Sequence, residues 1–226
     1  MCWSFRASLT AFLIGGGASL YLIKRDKYYL DKQIGYVMFF IILMQLFEAM
    51  IWADQKCTGL NQMATKLAIP FIILQPIVAY YVFNDFFMGK ARTHIDLLFT
   101  VYVIGTIIYL FHIFNGRSIF CTKADKNGLV WKWFNIRRGC WYHAKEKMDV
   151  FKKFNILVLF YYLLYLFLLI YPLFNLKKSN SMFALLLLAT FIISNYIYWG
   201  TRSIGSWWCL AVVPIPVIKI LFTQLK

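Results

Sequence analysis

The chain has 226 residues, of which 62% are hydrophobic, 20% are aromatic and only 15% are charged. A water-soluble domain is about half apolar and a quarter charged, so a soluble fold of this size could not bury so much apolar surface. The formal charge of +15 would also suit a nucleic-acid-binding protein. However, no segment outside the apolar stretches is long enough for such a domain, and basic residues that flank membrane spans account for the charge.

Seven apolar segments are long enough to cross a bilayer, which takes about 17–25 residues per helix. They cover residues 7–23, 34–52, 67–83, 97–114, 156–174, 182–199 and 206–222. The first is short, and a cleaved signal peptide is the alternative interpretation. Basic residues Lys24 and Arg25 follow this segment, whereas a signal peptide carries its charge before the apolar stretch. We predict an all-α fold, a polytopic transmembrane bundle of about seven helices that forms one domain over residues 1–226.

The longest connection between predicted spans, residues 115–155, is basic and rich in tryptophan. It contains ten Lys and Arg residues against three acidic residues. The dipeptide Asn127-Gly128 separates two strand-like runs, residues 119–124 and 129–134, and this arrangement predicts a short β-hairpin. The positive charge of the loop favours contact with anionic lipids at the membrane surface.

Seven crossings place the N-terminus and the second, fourth and sixth connections on one side of the membrane, here called side A. The C-terminus then lies on the opposite side, side B, and every Trp and Cys falls on side A. These residues are Trp3, Trp52, Trp131, Trp133, Trp141, Trp199, Trp207, Trp208, Cys2, Cys57, Cys121, Cys140 and Cys209. An aromatic belt decorates both interfaces and explains only part of this asymmetry. Orientation stays open, because the cysteines favour an exoplasmic side A and the basic loop favours a cytoplasmic one.

Polar residues inside the predicted spans also lie toward side A. Glu48 is the only acidic residue within these spans, and Gln45, Glu48 and Trp52 share one helix face. An ionisable group in a span costs about 2.5–3.5 kcal/mol unless it is paired or faces water, so Glu48 should face the bundle interior. Pro76 frees a backbone carbonyl that could line a cavity together with Gln75. The predicted ligand-binding residues are Glu48, Gln45, Gln75, Asn195, His112, Trp3, Trp52, Trp199 and Arg202.

A purely structural role for these residues is the alternative. Glu48 could be a buried acid that pairs with Arg202 or His112, and its position near an interface lowers the cost of burial. The amides Gln45, Gln75 and Asn195 could instead form hydrogen bonds between helices.

We expect no cofactor. Lys219 in the seventh span invites comparison with a retinal Schiff base, but it lies near the chain end, where its ammonium can snorkel to the interface. Cys121, Cys140 and His143 offer three potential zinc ligands without a Cys-x-x-Cys pair, which is a weak zinc signal. A disulfide between Cys121 and Cys140 is expected if side A is oxidising.

Four short motifs are distinctive: the opening Met1-Cys2-Trp3-Ser4, the run Met44-Gln45-Leu46-Phe47-Glu48 with Trp52, Leu74-Gln75-Pro76, and Asn127-Gly128-Leu129-Val130-Trp131-Lys132-Trp133. Together they resemble the motifs of an uncharacterised multi-pass membrane family found in large DNA viruses and protists. The resemblance covers most of the chain and implies a multi-pass membrane fold. It implies no activity, because none is established for that family.

Three kinds of function fit this pattern. The leading hypothesis is a site for a small ligand or ion that serves transport or permeation, with Glu48 as its charged group. One alternative is an intramembrane enzyme acting on lipid with Glu48 and His112 as acid and base, which is less favoured because a hydrolase usually clusters several such groups. The other is a non-catalytic scaffold or assembly factor whose residues 115–155 bind a partner.

Overall fold

The computed structural model describes residues 4–57, 59–86, 89–115, 120–125, 128–132, 156–174, 178–197 and 204–224. The helices are α1 (Phe5–Arg25), α2 (Asp31–Ala53), α3 (Leu60–Phe83), α4 (Gly89–Asn115), α5 (Ile156–Phe174), α6 (Lys178–Ile197), α7 (Ile204–Ala211) and α8 (Pro214–Gln224). Two antiparallel strands, β1 (Cys121–Asp125) and β2 (Gly128–Lys132), lie within the predicted hairpin region and pair Cys121 with Lys132 and Asp125 with Gly128.

In the described part of the chain, five helical stretches are long and apolar enough to cross a membrane. They are Phe5–Arg25, Asp31–Ala53, Leu60–Phe83, Arg92–Asn115 and Trp207–Gln224. Two shorter apolar stretches, Phe160–Leu173 and Met182–Ser194, belong to α5 and α6. The chain is therefore a largely helical protein of the integral membrane type, which confirms the sequence prediction at this level.

The seventh predicted span is not one continuous helix. A turn at Val212 and Val213 separates α7 from α8, and the Val213 amide bonds to the Leu210 carbonyl three residues earlier. Pro214 explains the break, because a proline disfavours helical geometry in the residue before it. Its ring suits the first position of a new helix, where no amide donor is needed.

Neighbouring helices run in alternating directions along the bundle. Helices α1 and α2 meet at Gly15 with Ile42 and at Gly35 with Ser19, and α3 and α4 meet at Ile73 with Tyr102 and at Tyr80 with Asp96. Helix α5 contacts α3 through Tyr165 and Gln75, and it contacts α6 through Tyr162 and Phe191. Helix α6 contacts α7 through Phe191 and Trp208, and it contacts α8 through Phe183 and Lys219. The bundle therefore has two ends. End A holds the start of α1, the end of α2, the start of α3 and the strand pair, whereas end B holds the α1–α2 turn and the end of α8.

Helix α2 lies at the centre of the bundle and α4 at its edge. In the most apolar stretch of α2, two thirds (67%) of the residues are buried, against 18% in the corresponding stretch of α4. The exposed face of α4 carries large apolar side chains, among them Ile104, Ile108 and Phe111. Such a face suits contact with lipid, whereas in a soluble protein it would need a partner.

Helices α1 and α2 approach closely at Gly35. A Cβ atom at this position would lie 2.8 Å from the Ser19 carbonyl oxygen and 3.0 Å from the Ile23 backbone nitrogen. Because backbone atoms cannot move aside as side chains do, we expect Gly35→Ala to destabilise the fold by about 1–3 kcal/mol, measured by thermal unfolding in detergent.

Gly17 provides the matched control, because a Cβ atom there would meet nothing within 4 Å. We expect Gly17→Ala to be neutral or slightly stabilising. Equal unfolding temperatures for the two variants would contradict the close approach of α1 and α2.

Candidate functional site

Gln45 and Glu48 form a buried hydrogen-bonded pair on α2. Their exposed fractions are 1% and 2%, and Gln45 Nε2 donates to Glu48 Oε2 over 3.1 Å. The helix brings the two side chains together because residues three apart lie on the same face. They lie roughly 12 Å and 8 Å from the end of α2 at 1.5 Å per residue. The structure thus brings together the two residues that headed the predicted site.

Further buried polar groups continue from this pair into the bundle. Cys209 of α7 is a buried free thiol that packs against the α2 residues Met44 and Phe47. It lies within electrostatic range of both Glu48 and Tyr165. We call the group of Gln45, Glu48, Cys209, Tyr165 and Gln75, contributed by α2, α7, α5 and α3, the interior polar strip.

Gln75 lies deeper than the Gln45–Glu48 pair. It follows Phe71 by one helical turn, about 6 Å, and Phe71 itself packs between Phe40 and Phe47 of α2. Gln75 Oε1 accepts a hydrogen bond from the Tyr165 hydroxyl of α5. Its Nε2 is buried and has no hydrogen-bond partner among the described residues. The structure therefore places Gln75 at the inner end of the strip rather than in hydrogen-bond contact with the pair.

Two stacked tyrosines, one on α4 and one on α5, lie beyond Gln75. The Tyr102 hydroxyl donates to the Ile73 carbonyl over 2.7 Å, and the Tyr102 ring stacks on Tyr161 with centroids 4.9 Å apart. The Tyr161 hydroxyl in turn shares a 2.6 Å hydrogen bond with Thr106. Ile73 is next in sequence to Ile72, whose carbonyl Pro76 leaves without its regular helical donor. Hydroxyl groups of α4 and α5 thus satisfy polar groups in the middle of the bundle.

The other predicted site residues divide into two groups. Trp52 is half-buried beside Ile51 and Ala64, and its indole nitrogen has no hydrogen-bond partner among the described residues. Trp3, Trp199 and Arg202, together with the side chains of His112 and Asn195, lie outside the described residues.

Asn61 joins the strand pair to the start of α3. Its amide nitrogen donates to the carbonyls of Asp54 and Thr122 over 2.6 Å and 2.7 Å, and its amide oxygen accepts the Thr122 backbone N–H over 3.1 Å. The Thr65 hydroxyl bonds the Thr122 hydroxyl over 3.0 Å. Leu129 of β2 is buried against Ile51 and Ala64. We call this assembly of residues 54–65 with β1 and β2 the end-A cap.

A disulfide closes the end-A cap. Cys57 of the α2–α3 loop bonds to Cys121 of β1, with their Cα atoms 5.1 Å apart. The predicted pairing of Cys121 with Cys140 is therefore wrong. Strand β1 packs on the α2–α3 loop through Asn61, which brings Cys121 beside Cys57. Cys140 lies outside the described residues.

Asp54 organises the exposed loop within the end-A cap. Its carboxylate accepts hydrogen bonds from the backbone amides of Asn61 and Lys56, over 3.1 Å and 3.0 Å. These amide bonds favour the ionised form and lower the pKa of Asp54 below its usual value, with Asn61 as the larger cause. The bonded conformation of the loop is accordingly favoured above the ordinary carboxyl pKa and weakens as pH falls through the lowered value.

End B carries a charged cluster that sequence analysis did not foresee. Asp31, with a fully buried side chain, bonds Arg25 Nε over 2.8 Å and lies 3.8 Å from Lys219 Nζ. Lys219 also donates to the Tyr29 carbonyl over 3.1 Å, and Arg25 Nη2 donates to the Thr223 hydroxyl over 2.8 Å. The Lys219 side chain reaches the α1–α2 turn at end B, where it is buried and lies beside Asp31.

These observations define the chain as a helical protein of the integral membrane type with an interior polar strip, a disulfide-closed cap at one end and a charged cluster at the other. Comparison with protein-family models, with curated proteins and with solved structures found no match for the chain. The resemblance to an uncharacterised viral and protist family therefore stays a prediction.

Proposed function

We propose that the chain crosses the membrane seven times and binds a small cation, or a polar solute that carries positive charge, at Glu48, as part of transport or permeation. Glu48 supplies the negative charge and Gln45 orients its carboxylate. Cys209, Tyr165 and Gln75 offer further polar contacts toward the centre of the bundle.

Packing at the two ends supports the odd number of crossings. Ser4 caps the start of α1 at end A, whereas Thr223 of α8 contacts Arg25 at end B. The helices between them alternate in direction. Helices α5 and α6 take part in this alternation through the contacts of Tyr165 and Phe191. Their described apolar stretches are shorter than those of the five longer helical stretches. The N- and C-termini would thus face opposite compartments.

The disulfide supports an exoplasmic end A. A bond between Cys57 and Cys121 persists in an oxidising compartment and is reduced in the cytosol. The α1–α2 turn and the adjoining helix ends at end B carry Lys24, Arg25, Lys27 and Lys32, as expected for a cytoplasmic connection. The basic residues of segment 115–155 favour the opposite orientation, with a cytoplasmic end A. The disulfide outweighs these charges, because the charge rule is a statistical bias whereas an oxidising compartment is a chemical requirement of the bond.

The burial of Glu48 is the observation that carries the proposed site. A carboxylate with 2% exposure in the most buried helix costs free energy that a purely apolar side chain would not. Its hydrogen bond from Gln45, and the packing of Cys209 against Met44 and Phe47 of the same helix, support a polar site instead of a purely apolar core. Gln75 at the inner end keeps a buried amide donor without a described partner, as expected where a ligand supplies the acceptor.

We expect Glu48→Gln to lower cation flux into proteoliposomes at least tenfold, roughly the effect of losing a buried charge–charge contact. The flux probes are the alkali cations and methylammonium. Folding should survive, because a Gln side chain still accepts the hydrogen bond from Gln45. Ser19→Ala is the control, since Ser19 is buried in α1 and its hydroxyl donates to the Gly15 carbonyl of the same helix. Flux through Glu48→Gln equal to that of the unmodified protein would sink the proposal.

A scaffold or assembly factor is the second candidate, and the end-A cap favours it. Its strands are held by a disulfide and by Asn61, so they present a fixed surface outside the apolar helices. Removal of residues 118–135 together with Cys57→Ser tests this role without leaving an unpaired thiol. Loss of an assembled complex with unchanged cation flux would favour the scaffold, and loss of flux alone would favour the binding site.

A further inference from the structure

Arg25 at end B has an unused pair of hydrogen-bond donors. Its Nε bonds Asp31 and its Nη2 bonds Thr223, both over 2.8 Å. Its Nη1 is buried and makes no hydrogen bond to the described residues, and the side chain as a whole is only 8% exposed. A guanidinium carries five N–H donors in a planar fork, and a buried donor without an acceptor costs free energy. Arg25 can therefore donate a hydrogen bond from Nη1 to one more acceptor.

The carboxylate in the cluster does not supply that acceptor. Asp31 faces two cations, Arg25 and Lys219, and carries a single negative charge. Its Oδ2 accepts Arg25 Nε and the Tyr28 amide, and its Oδ1 lies toward Lys219. An additional anionic oxygen would serve Arg25 Nη1 without competing for Asp31.

The surroundings of Arg25 suit an approach from the membrane interface. Its guanidinium lies 5.5 Å from the ring centre of Tyr21 and 4.7 Å from that of Tyr28. Tyr21 is 47% exposed on the outer face of α1. Lys24 and Lys27, which flank Arg25, are exposed at the same end. A tyrosine beside basic residues at a helix end is typical of the headgroup region of a bilayer.

We propose that Arg25, together with Lys24 and Lys27, binds a phosphate oxygen of an anionic phospholipid at end B. Arginine binds phosphate through charge-assisted N–H···O bonds, and nearby lysines add attraction for the negatively charged leaflet. The side chain of Tyr21 turns aside to admit the headgroup to Nη1. This inference rests on the proposed membrane topology, in which end B faces the cytoplasm, where anionic lipids concentrate.

The test compares lipids added to the purified full-length protein in detergent. Phosphatidylglycerol and phosphatidic acid should raise the unfolding temperature and remain bound in native mass spectrometry, whereas phosphatidylcholine should do neither. The double variant Lys24→Gln/Lys27→Gln should bind the anionic lipids roughly tenfold more weakly. These two side chains are exposed, so the variant should fold normally. Lys66→Gln at end A is the matched control and should bind as the unmodified protein does.

Arg25→Lys examines the guanidinium itself. It keeps the charge beside Asp31 but removes Nη1, so the preference for anionic over zwitterionic lipid should fall in protein that still folds. Inorganic phosphate at millimolar concentration distinguishes the two sources of the anion: protection by phosphate alone would show a site for free phosphate, with the same chemistry. Equal binding of anionic and zwitterionic lipid, or unchanged binding by the double variant, would overturn the inference. Protease accessibility of tags at the two chain ends in sealed vesicles separates this failure from failure of the proposed topology.

Discussion

Replacing Asp31 by Asn should be the most destabilising single substitution in the described part of the bundle. Its side chain is fully buried, accepts hydrogen bonds from Arg25 Nε and the Tyr28 amide, and lies 3.8 Å from Lys219 Nζ. Asn keeps the shape but removes the charge, which leaves two buried cations without their carboxylate. Breaking a buried ion pair in this way costs about 3–5 kcal/mol, which thermal or denaturant unfolding in detergent can measure.

Two comparisons make this prediction specific. Asp26→Asn is the control, because Asp26 and Lys32 form an exposed pair at 3.9 Å whose loss should cost about 0–1 kcal/mol. Adding Lys219→Met to Asp31→Asn should recover part of the lost stability, since it removes one of the uncompensated charges. If Asp31→Asn were no worse than Asp26→Asn, the charged cluster would not hold end B together.

Loss of the Cys57–Cys121 disulfide should have the next largest effect. The bond joins residues 64 positions apart, and a crosslink of that span stabilises a fold by about 4 kcal/mol in the chain-entropy view. The double variant Cys57→Ser/Cys121→Ser should unfold at lower temperature by a corresponding amount. The hydrogen bonds of Asn61 remain, so the strands should stay docked at moderate temperature.

Non-reducing electrophoresis decides between the two possible pairings of Cys121. Cys57→Ser should abolish the mobility difference between oxidised and reduced protein, whereas Cys140→Ser should preserve it. The opposite pattern would restore the pairing of Cys121 with Cys140 that the sequence favoured and would detach β1 from the α2–α3 loop.

Hydropathy predicts the helices well where they are apolar and poorly where polar residues extend them. Helix α3 begins at Leu60, seven residues before the predicted span, because Asn61 and Thr65 are satisfied by Thr122 in the end-A cap. A hydropathy profile registers these residues as loop. Their helical position depends on strand β1, which lies far away in the sequence.

The same distinction applies to the candidate site. The contact between Gln45 and Glu48 follows from helical periodicity alone, so the sequence predicts it. The bond between Tyr165 and Gln75 joins residues 90 positions apart and has no local signal. Lys219 and Asp31 are likewise brought together only by the docking of α8 on the α1–α2 turn. A lysine within an apolar span was the available signal, but it does not indicate which acidic residue lies beside it.

The central proposal is that the chain crosses the membrane an odd number of times, so that its N- and C-termini face different compartments. The most direct measurement fuses a small protease-cleavable tag to each end of the full-length protein and exposes sealed membrane vesicles to the protease. We expect one tag to be cleaved in intact vesicles and the other only after the membrane is opened. Cleavage of both tags, or of neither, in intact vesicles would contradict the account.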